Sequence, residues 1–291
     1  IHRLGHYGLD MNIEAHARTV VNFYDTHPIN EQQILEKLAL DGIELSTLNE
    51  DILQNYDMDH YDGVGAIEIL AQTAGITATS HVLDVASGMG GPARYLAHNY
   101  GCRVTGIDLT ESRVEGAKRL TELAGLSEQV TFQTANALEN PFPDHTFDVV
   151  IGQEAWCHIP DKRRLIAEVA RVTKSGGSIA FTDILEGSDL KAQDREKMSL
   201  GMGYVDLATL AGYQDLLAAA GCEVVEAVDL SARWAEILAA RLAMYRGLEA
   251  QTVARFGEAV YRRWDDIYTL FVGLIEKGQL GGGRFLARRY Q

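Results

Sequence analysis

The sequence predicts an α/β fold built on a doubly wound, mainly parallel sheet. Three observations carry this prediction. From His81 to Asp183, short apolar runs alternate with segments of helical spacing. A glycine turn, Gly88 to Gly91, separates the first run from a helix that opens at Pro92. Most of the chain outside that span has helical periodicity, suited to capping such a sheet.

Taken in order, Ile13–Tyr24, Glu31–Leu40, Thr47–Leu53 and Val64–Ala74 carry apolar residues three and four apart and read as helices. Thr47 followed by Glu50 has the form of a capping box. Asn55–Gly65 (NYDMDHYDGVG) is polar, aromatic and glycine-bearing, hence a loop. His81–Ala86 is a buried strand, and Pro92 sits where a first helical turn tolerates it. Arg103–Asp108 is the next strand and Glu111–Leu123 the next helix. Val130–Thr134, Phe147–Gly152 and Ser178–Asp183 follow as strands, with helix Lys162–Val172 between the last two and Lys174–Gly177 as a helix stop and turn. Leu207–Ala219 reads as a helix and Cys222–Leu230 as a strand. A long helical stretch, Ala232–Lys277, is broken at Gly281–Gly283 before a final strand, Arg284–Arg289. Right-handed crossovers then put helices on both faces and the strands' carboxyl ends along one edge. The expected organisation is a Rossmann-like core at 79–188, a helical lid at 1–78, and 189–291 completing the sheet and adding a second lid.

Composition narrows the function classes. A chain of 291 residues with 46% hydrophobic and 23% charged residues fits an ordinary soluble enzyme. The formal charge of -15 speaks against nucleic acid and anionic membranes as partners. No apolar run approaches the ~20 residues of a membrane helix, and Ile1–Asp10 lacks the pattern of a secretory signal. Cys102, Cys157 and Cys222 are odd in number and widely spaced, which points to a reducing, cytoplasmic setting without a disulfide framework or cysteine-based zinc. His2, His6, His16 and His27 lack metal spacing, and Glu31, Glu36, Glu44 and Glu50 read as solvated helix faces, so no metal is expected.

Chemistry concentrates around the glycine turn. Gly88 and Gly90 let backbone approach a ligand where a Cβ would intrude. The spacing departs from a dinucleotide fingerprint, because Arg94 stands near the place of the third glycine, and the Lys-Ser/Thr pair of a P-loop is missing. Asp108 ends the next strand about twenty residues on, where a carboxylate either accepts both ribose hydroxyls of a nucleoside or caps the following helix. Asp84 lies amid Val82, Leu83 and Val85, a costly place unless it is paired or hydrogen-bonded near a cationic ligand.

DVASGMG, Asp84 to Gly90, resembles the D-x-G-x-G-x-G motif of class I S-adenosylmethionine-dependent methyltransferases, with Ala86 in place of its first glycine. GIDLT at Asp108 is similar to the family's ribose-binding motif, Ala135–Val150 to its adenine-binding segment with Asn136 where an Asp is frequent, and Lys174–Asp183 to its fifth-strand turn. The resemblance implies a seven-stranded sheet with an antiparallel last strand. It also implies S-adenosylmethionine held by Asp84, Ser87, Gly88, Gly90, Asp108, Leu109, Asn136, Ala137 and Gln153. GQEAWCHIPDK, Gly152 to Lys162, together with the aromatic NFYD near the start, is similar to sarcosine/dimethylglycine and phosphoethanolamine methyltransferases. That narrower resemblance implies that His158 partners a lid tyrosine, and Tyr61, Tyr24 and Tyr56 all stay open. Glu154 and Trp156 flank the same loop and would suit a cationic amine, with Tyr204 as a further acceptor contact. Trp156 also fits a core aromatic beneath the lid, and Trp234, Tyr245 and Trp264 read as packing. The expected function is methyl transfer to a small molecule, foremost the nitrogen of an amino acid or related amine. The alternatives are an oxygen, carbon or sulfur of a secondary metabolite, or cofactor binding without transfer. A homodimer fits the same outline.

Overall fold

The computed structural model describes residues 15–22, 24–25 and 30–291. The start of the first expected helix, together with His2, His6 and His27, lies outside the described residues. The strands are β1 (His81–Val85), β2 (Arg103–Asp108), β3 (Val130–Thr134), β4 (Phe147–Gln153), β5 (Thr173–Glu186), β6 (Cys222–Asp229) and β7 (Leu280–Arg289). They form one sheet in the order β3-β2-β1-β4-β5-β7-β6. The first five pair in parallel, and β7 runs antiparallel between β5 and β6. The chain winds outward from β1 to β3, then returns to β4, so the order reverses between β1 and β4. Ligands in such sheets bind at the carboxyl ends of the strands flanking that switch point.

The helices are α1 (Glu31–Leu40), α2 (Glu50–Asp57), α3 (Val64–Ala74), α4 (Gly91–Tyr100), α5 (Glu111–Leu123), α6 (Lys162–Val172), α7 (Ala192–Met202), α8 (Leu210–Ala219), α9 (Ser231–Gly247), α10 (Glu249–Phe256) and α11 (Glu258–Glu276), with residues 15–22 also helical. Alternation along β1 sorts the layers. Val82 joins Ile67, Leu96 and Val114 of α3, α4 and α5 on one face. Leu83 and Val85 join Leu165, Val169 and Tyr213 of α6 and α8 on the other. A third cluster, with Met198, Trp234, Leu238 and Phe271, binds α7, α9 and α11 to the β5 and β7 edge. Ile34, Leu38 and Leu53 seat α1 and α2 against Leu120 of α5.

Several elements differ from expectation. Asn49, not Thr47, caps α2, accepting the Ile52 N–H at 3.1 Å, while the Thr47 hydroxyl donates to the Glu44 carbonyl. There is therefore no capping box, and Asn55–Asp57 belong to α2 rather than to the loop. Lys174–Gly177 lies within β5 as a bulge, since Phe147 pairs with Thr173 but Val149 already pairs with Ser178. Gly281–Gly283 is the start of β7 rather than a break, with Gly282 opposite Ile184. The long helical stretch divides into α9, α10 and α11, and α8 starts at Leu210 behind its cap Thr209.

The largest departure is Glu50. Instead of facing water it is 1% exposed and stands 3.3 Å from Nε of Arg94, itself fully buried. Arg94 also donates to the Asp57 carboxylate, to the Met89 carbonyl at 2.9 Å and to the Thr121 hydroxyl at 3.1 Å. A guanidinium inside the core must bring its counter-charges with it. Here two carboxylates share one cation.

Burial pushes the Glu50 carboxyl up to about 8, against the attraction of Arg94 and with the repulsion of Asp57. In an unfolded chain a glutamate releases its proton near ~4.3. Between these values the folded state binds more protons, so stability falls as pH rises through that window. Urea titrations from pH 5 to pH 8 should show this slope, and Glu50→Gln should flatten it. Arg94→Met should cost about 3–5 kcal/mol, because it strands two buried carboxylates.

Candidate active site

The loop after β1 makes the floor of the site. Ala86, Gly88 and Gly90 have φ of +64°, +52° and +81°. Gly90 needs its missing Cβ, which would stand 2.4 Å from the Phe132 ring. Ala86 occupies a left-handed position that disfavours a side chain, and it stands where the methyltransferase motif has glycine. The loop is fastened by Asp108, whose carboxylate accepts the Gly88 N–H and the Thr110 N–H, each at 2.9 Å. Asp108 thus fixes the turn that leads into α5 and still offers its remaining lone pairs to the cavity. Burial raises its carboxyl above the usual range, opposed by those two N–H groups.

A cavity of about 2220 Å³ opens above this loop. Ser87, Gly88, Gly90, Asp108, Leu109, Asn136, Ala137 and Gln153 line it, as do Glu154, His158, Tyr24, Tyr61 and Tyr204. Asp84 lies beneath the loop, 3% exposed, and burial pushes its carboxyl up to about 7, against His60 and with Asp108. Asn136 Oδ1 accepts the Leu138 N–H at 3.0 Å, so its side chain also caps the turn that follows it.

Trp156 does not line the cavity. It is fully buried, stacked on Phe181 at 4.2 Å, with its indole N–H donating to the Val85 carbonyl at 3.2 Å. The reason is Gly152, where a Cβ would sit 2.2 Å from the indole nitrogen. The substrate-binding expectation for Trp156 is therefore corrected to core packing. Conversely, Tyr245 and Trp264, expected to pack, line the cavity, whereas Trp234 is buried.

His158 sits in a short turn at Trp156–His158, which Asp183 at β5 holds through the Cys157 N–H at 2.9 Å. Its Nδ1 lies 3.1 Å from the Gly203 carbonyl and its Nε2 2.9 Å from the Tyr24 hydroxyl. A carbonyl only accepts, so Nδ1 carries a proton; in the neutral ring Nε2 is then the acceptor of the Tyr24 O–H. Burial raises the Tyr24 phenol well above its ordinary value, with Cys157 and Asp108 adding, so it stays protonated. Of the three tyrosines, Tyr24 makes the pair. Tyr56 is held by Asp41 at 2.7 Å, and Tyr61 packs edge-on to Trp234 at 4.7 Å, so neither takes that role.

Glu154 is occupied as well. Its carboxylate accepts the Tyr61 N–H at 3.0 Å and lies 3.7 Å from Nδ1 of His60, tying residues 58–63 to the end of β4. Spacing did not reveal His60, Arg113 or Arg241. Burial lowers the His60 imidazole, but the hydrogen bond and charge of Glu154, with Asp84, raise it on balance. Arg113 donates to the Tyr24 carbonyl at 2.9 Å and lies over its ring at 5.3 Å. Arg241 donates to the Asp59 and His60 carbonyls at 3.0 and 2.9 Å. The only sequence signal for any of them was the polar, aromatic character of the DMDHYDG loop.

Buried polar atoms at the switch point lack protein partners: Oδ2 of Asp84, Oγ of Ser87 and both amide atoms of Gln153. Burying such atoms is unfavourable unless a ligand completes them. A ligand with an amino-acid end over Asp84, Ser87 and Gln153 and a ribose at Asp108 fits this set. Residues 83–181 match the family model described as a methyltransferase domain. The chain carries a class I S-adenosylmethionine-dependent methyltransferase domain. S-adenosylmethionine is its cofactor. A sarcosine/dimethylglycine N-methyltransferase of Halorhodospira halochloris is 38% identical over 110 residues, 38% of this chain and 39% of that protein. A 27-O-demethylrifamycin SV methyltransferase of Amycolatopsis mediterranei is 36% identical over 165 residues, 56% of this chain and 61% of that one. The chain thus spans less than two thirds of these curated relatives. The Haemonchus contortus phosphoethanolamine N-methyltransferase 2 shares the fold, with a TM-score of 0.75 at 22% identity over 93% of this chain and 60% of that one. Among the described residues, no helix is long and apolar enough to cross a membrane, and no group of three or more His, Cys, Asp or Glu could hold a metal ion.

Asp108→Ala should weaken S-adenosylhomocysteine binding by about 1.5–3 kcal/mol, the range for hydrogen bonds to a charged group, as read by calorimetry. It also frees the Gly88 N–H, so the glycine loop should lose hydrogen-exchange protection in the same variant.

Proposed function

We propose that the protein transfers the methyl group of S-adenosylmethionine to the nitrogen of a small-molecule amine. The Tyr24–His158 pair in the cofactor cavity carries this reading. At neutral pH an amine is largely an ammonium, with no lone pair to attack with, so a proton must leave. When bound, the cofactor supplies a methyl group on an electrophilic sulfonium.

The chain's residues handle the rest. An acceptor N–H donating to the Tyr24 oxygen gives up its proton as Tyr24 passes its own to Nε2 of His158. The phenol ends neutral and the ring becomes an imidazolium, with its Nδ1–H kept on the Gly203 carbonyl. Arg113 positions Tyr24 from behind and takes no proton. The Tyr204 ring lies 5.4 Å from that of His158 and, with Tyr24, offers aromatic faces on which a cationic amine rests favourably. Burial holds the Tyr204 phenol well above its ordinary value, so it stays neutral. Alignment and exclusion of water supply much of the remaining acceleration.

The test is transfer of labelled methyl from S-adenosylmethionine to fractions of a metabolite extract, with products identified by mass. Label on nitrogen supports the reading; label only on oxygen or carbon, or none, overturns it. With the acceptor in hand, His158→Ala and Tyr24→Phe should each lower kcat by about 10²–10⁴-fold. Both should keep S-adenosylhomocysteine affinity within a few-fold.

A further inference from the structure

The cavity has to hold two ligands at once, the cofactor and an acceptor. Its volume of about 2220 Å³ is roughly twice the upper end of the ~300–1,000 Å³ typical of a drug-sized ligand site. The cofactor residues and the Tyr24–His158 pair use only the inner wall. The outer wall comes from α1, α7 and α9–α11, drawn together where Arg255 of α10 meets Glu36 of α1 at 2.5 Å.

Ten large apolar side chains are exposed among the described residues, and six of them line this cavity: Leu40, Leu200, Met244, Leu248, Phe256 and Val260, at 38% to 85% exposure. Single exposed apolar residues need no explanation, but a cluster around one concavity marks a binding surface. Tyr245 and Trp264, edge-on at 4.7 Å, line the same cavity, with Trp264 stacked on Tyr268. The outer wall thus sets aromatic and aliphatic side chains among charged ones such as Lys197, Arg255 and Arg263, whose heads can stay in water while the apolar groups face a ligand.

Resting on the amine reading above, we propose that the acceptor is an amine carried on a bulky apolar body. Its nitrogen lies at Tyr24 and its ring or chain fills the outer chamber under α9–α11. A free amino acid would leave that chamber wetted. The rim is continuous with the reacting end of the cavity, and that continuity makes the acceptor, rather than a second copy of the chain, its occupant.

The test pairs two amines with the same reacting group, N-methyl-1-naphthalenemethylamine and sarcosine, with labelled S-adenosylmethionine. The apolar amine should have the higher kcat/KM by at least about tenfold. Val260→Asp and Leu248→Glu, both at exposed positions, should lower it about tenfold for the apolar amine and less than about twofold for sarcosine. Naphthalene fluorescence reads binding to the S-adenosylhomocysteine-loaded protein without any transfer, and both variants should weaken that binding about tenfold. Equal use of the two amines, or binding insensitive to the rim, overturns the proposal. So does a rim substitution that changes only the sedimentation of the protein, which would assign the surface to a contact between copies. Rim-sensitive binding without methyl transfer would remove the nitrogen reading and leave the apolar chamber standing.

Discussion

One buried guanidinium holds the two halves of the site together. Arg94 belongs to α4, directly behind the glycine loop, and its donors reach Met89 within that loop, Thr121 on α5 and Asp57 at the end of α2. The residues after Asp57 carry His60 and Tyr61 into the cavity, so one cation sets both the glycine loop at its floor and one of its walls. Buried ion pairs of this kind add little net stability compared with apolar packing. Their use here is register: α2 can sit only where both carboxylates meet Arg94.

The switch point between β1 and β4 gathers strain and buried charge in one place. Ala86 and Glu154, the residues just past those two strands, both have positive φ, at +64° and +52°. Backbone strain of this kind costs about 1–3 kcal/mol per residue and persists only when surrounding structure enforces it. Asp108 enforces the first turn through Gly88, and the clamp on Tyr61 enforces the second. Asp84, Asp108 and Glu154 all lie within this cluster, with His60 as the counter-charge of Asp84 and Glu154 and Arg113 as that of Asp108. An environment so rich in carboxylates favours a ligand with cationic groups.

The core was legible because it is written locally. A strand, a glycine turn and a helix occupy consecutive residues, and the acid at Asp108 follows at a fixed offset. The seven strands and the antiparallel seventh followed from such short patterns or from the resemblance they support. What escaped was non-local. Tyr24 and His158 lie 134 residues apart, and spacing could not choose Tyr24 over Tyr61 or Tyr56. Glu50 looks like any exposed glutamate until Arg94 is placed beside it. Trp156 fitted both pocket and core on its sequence, because a stacking partner on the adjacent strand β5, rather than its neighbours in sequence, decides which way its indole turns. The helix α7 was missed since its apolar residues do not recur on one face, and its place depends on α11 packing over it.

The clamp of Glu154 on the Tyr61 backbone, together with Asp57 on Arg94, pins the short stretch 58–61 at both ends. That wall is closed to traffic. The acids that receive the cofactor lie deepest, and the apolar side chains lie at the exposed end, so the chamber has an inside and an outside. Whatever fills the outer end of such a chamber covers what lies beneath it, so the occupants of this single cavity must leave in the reverse of the order in which they enter.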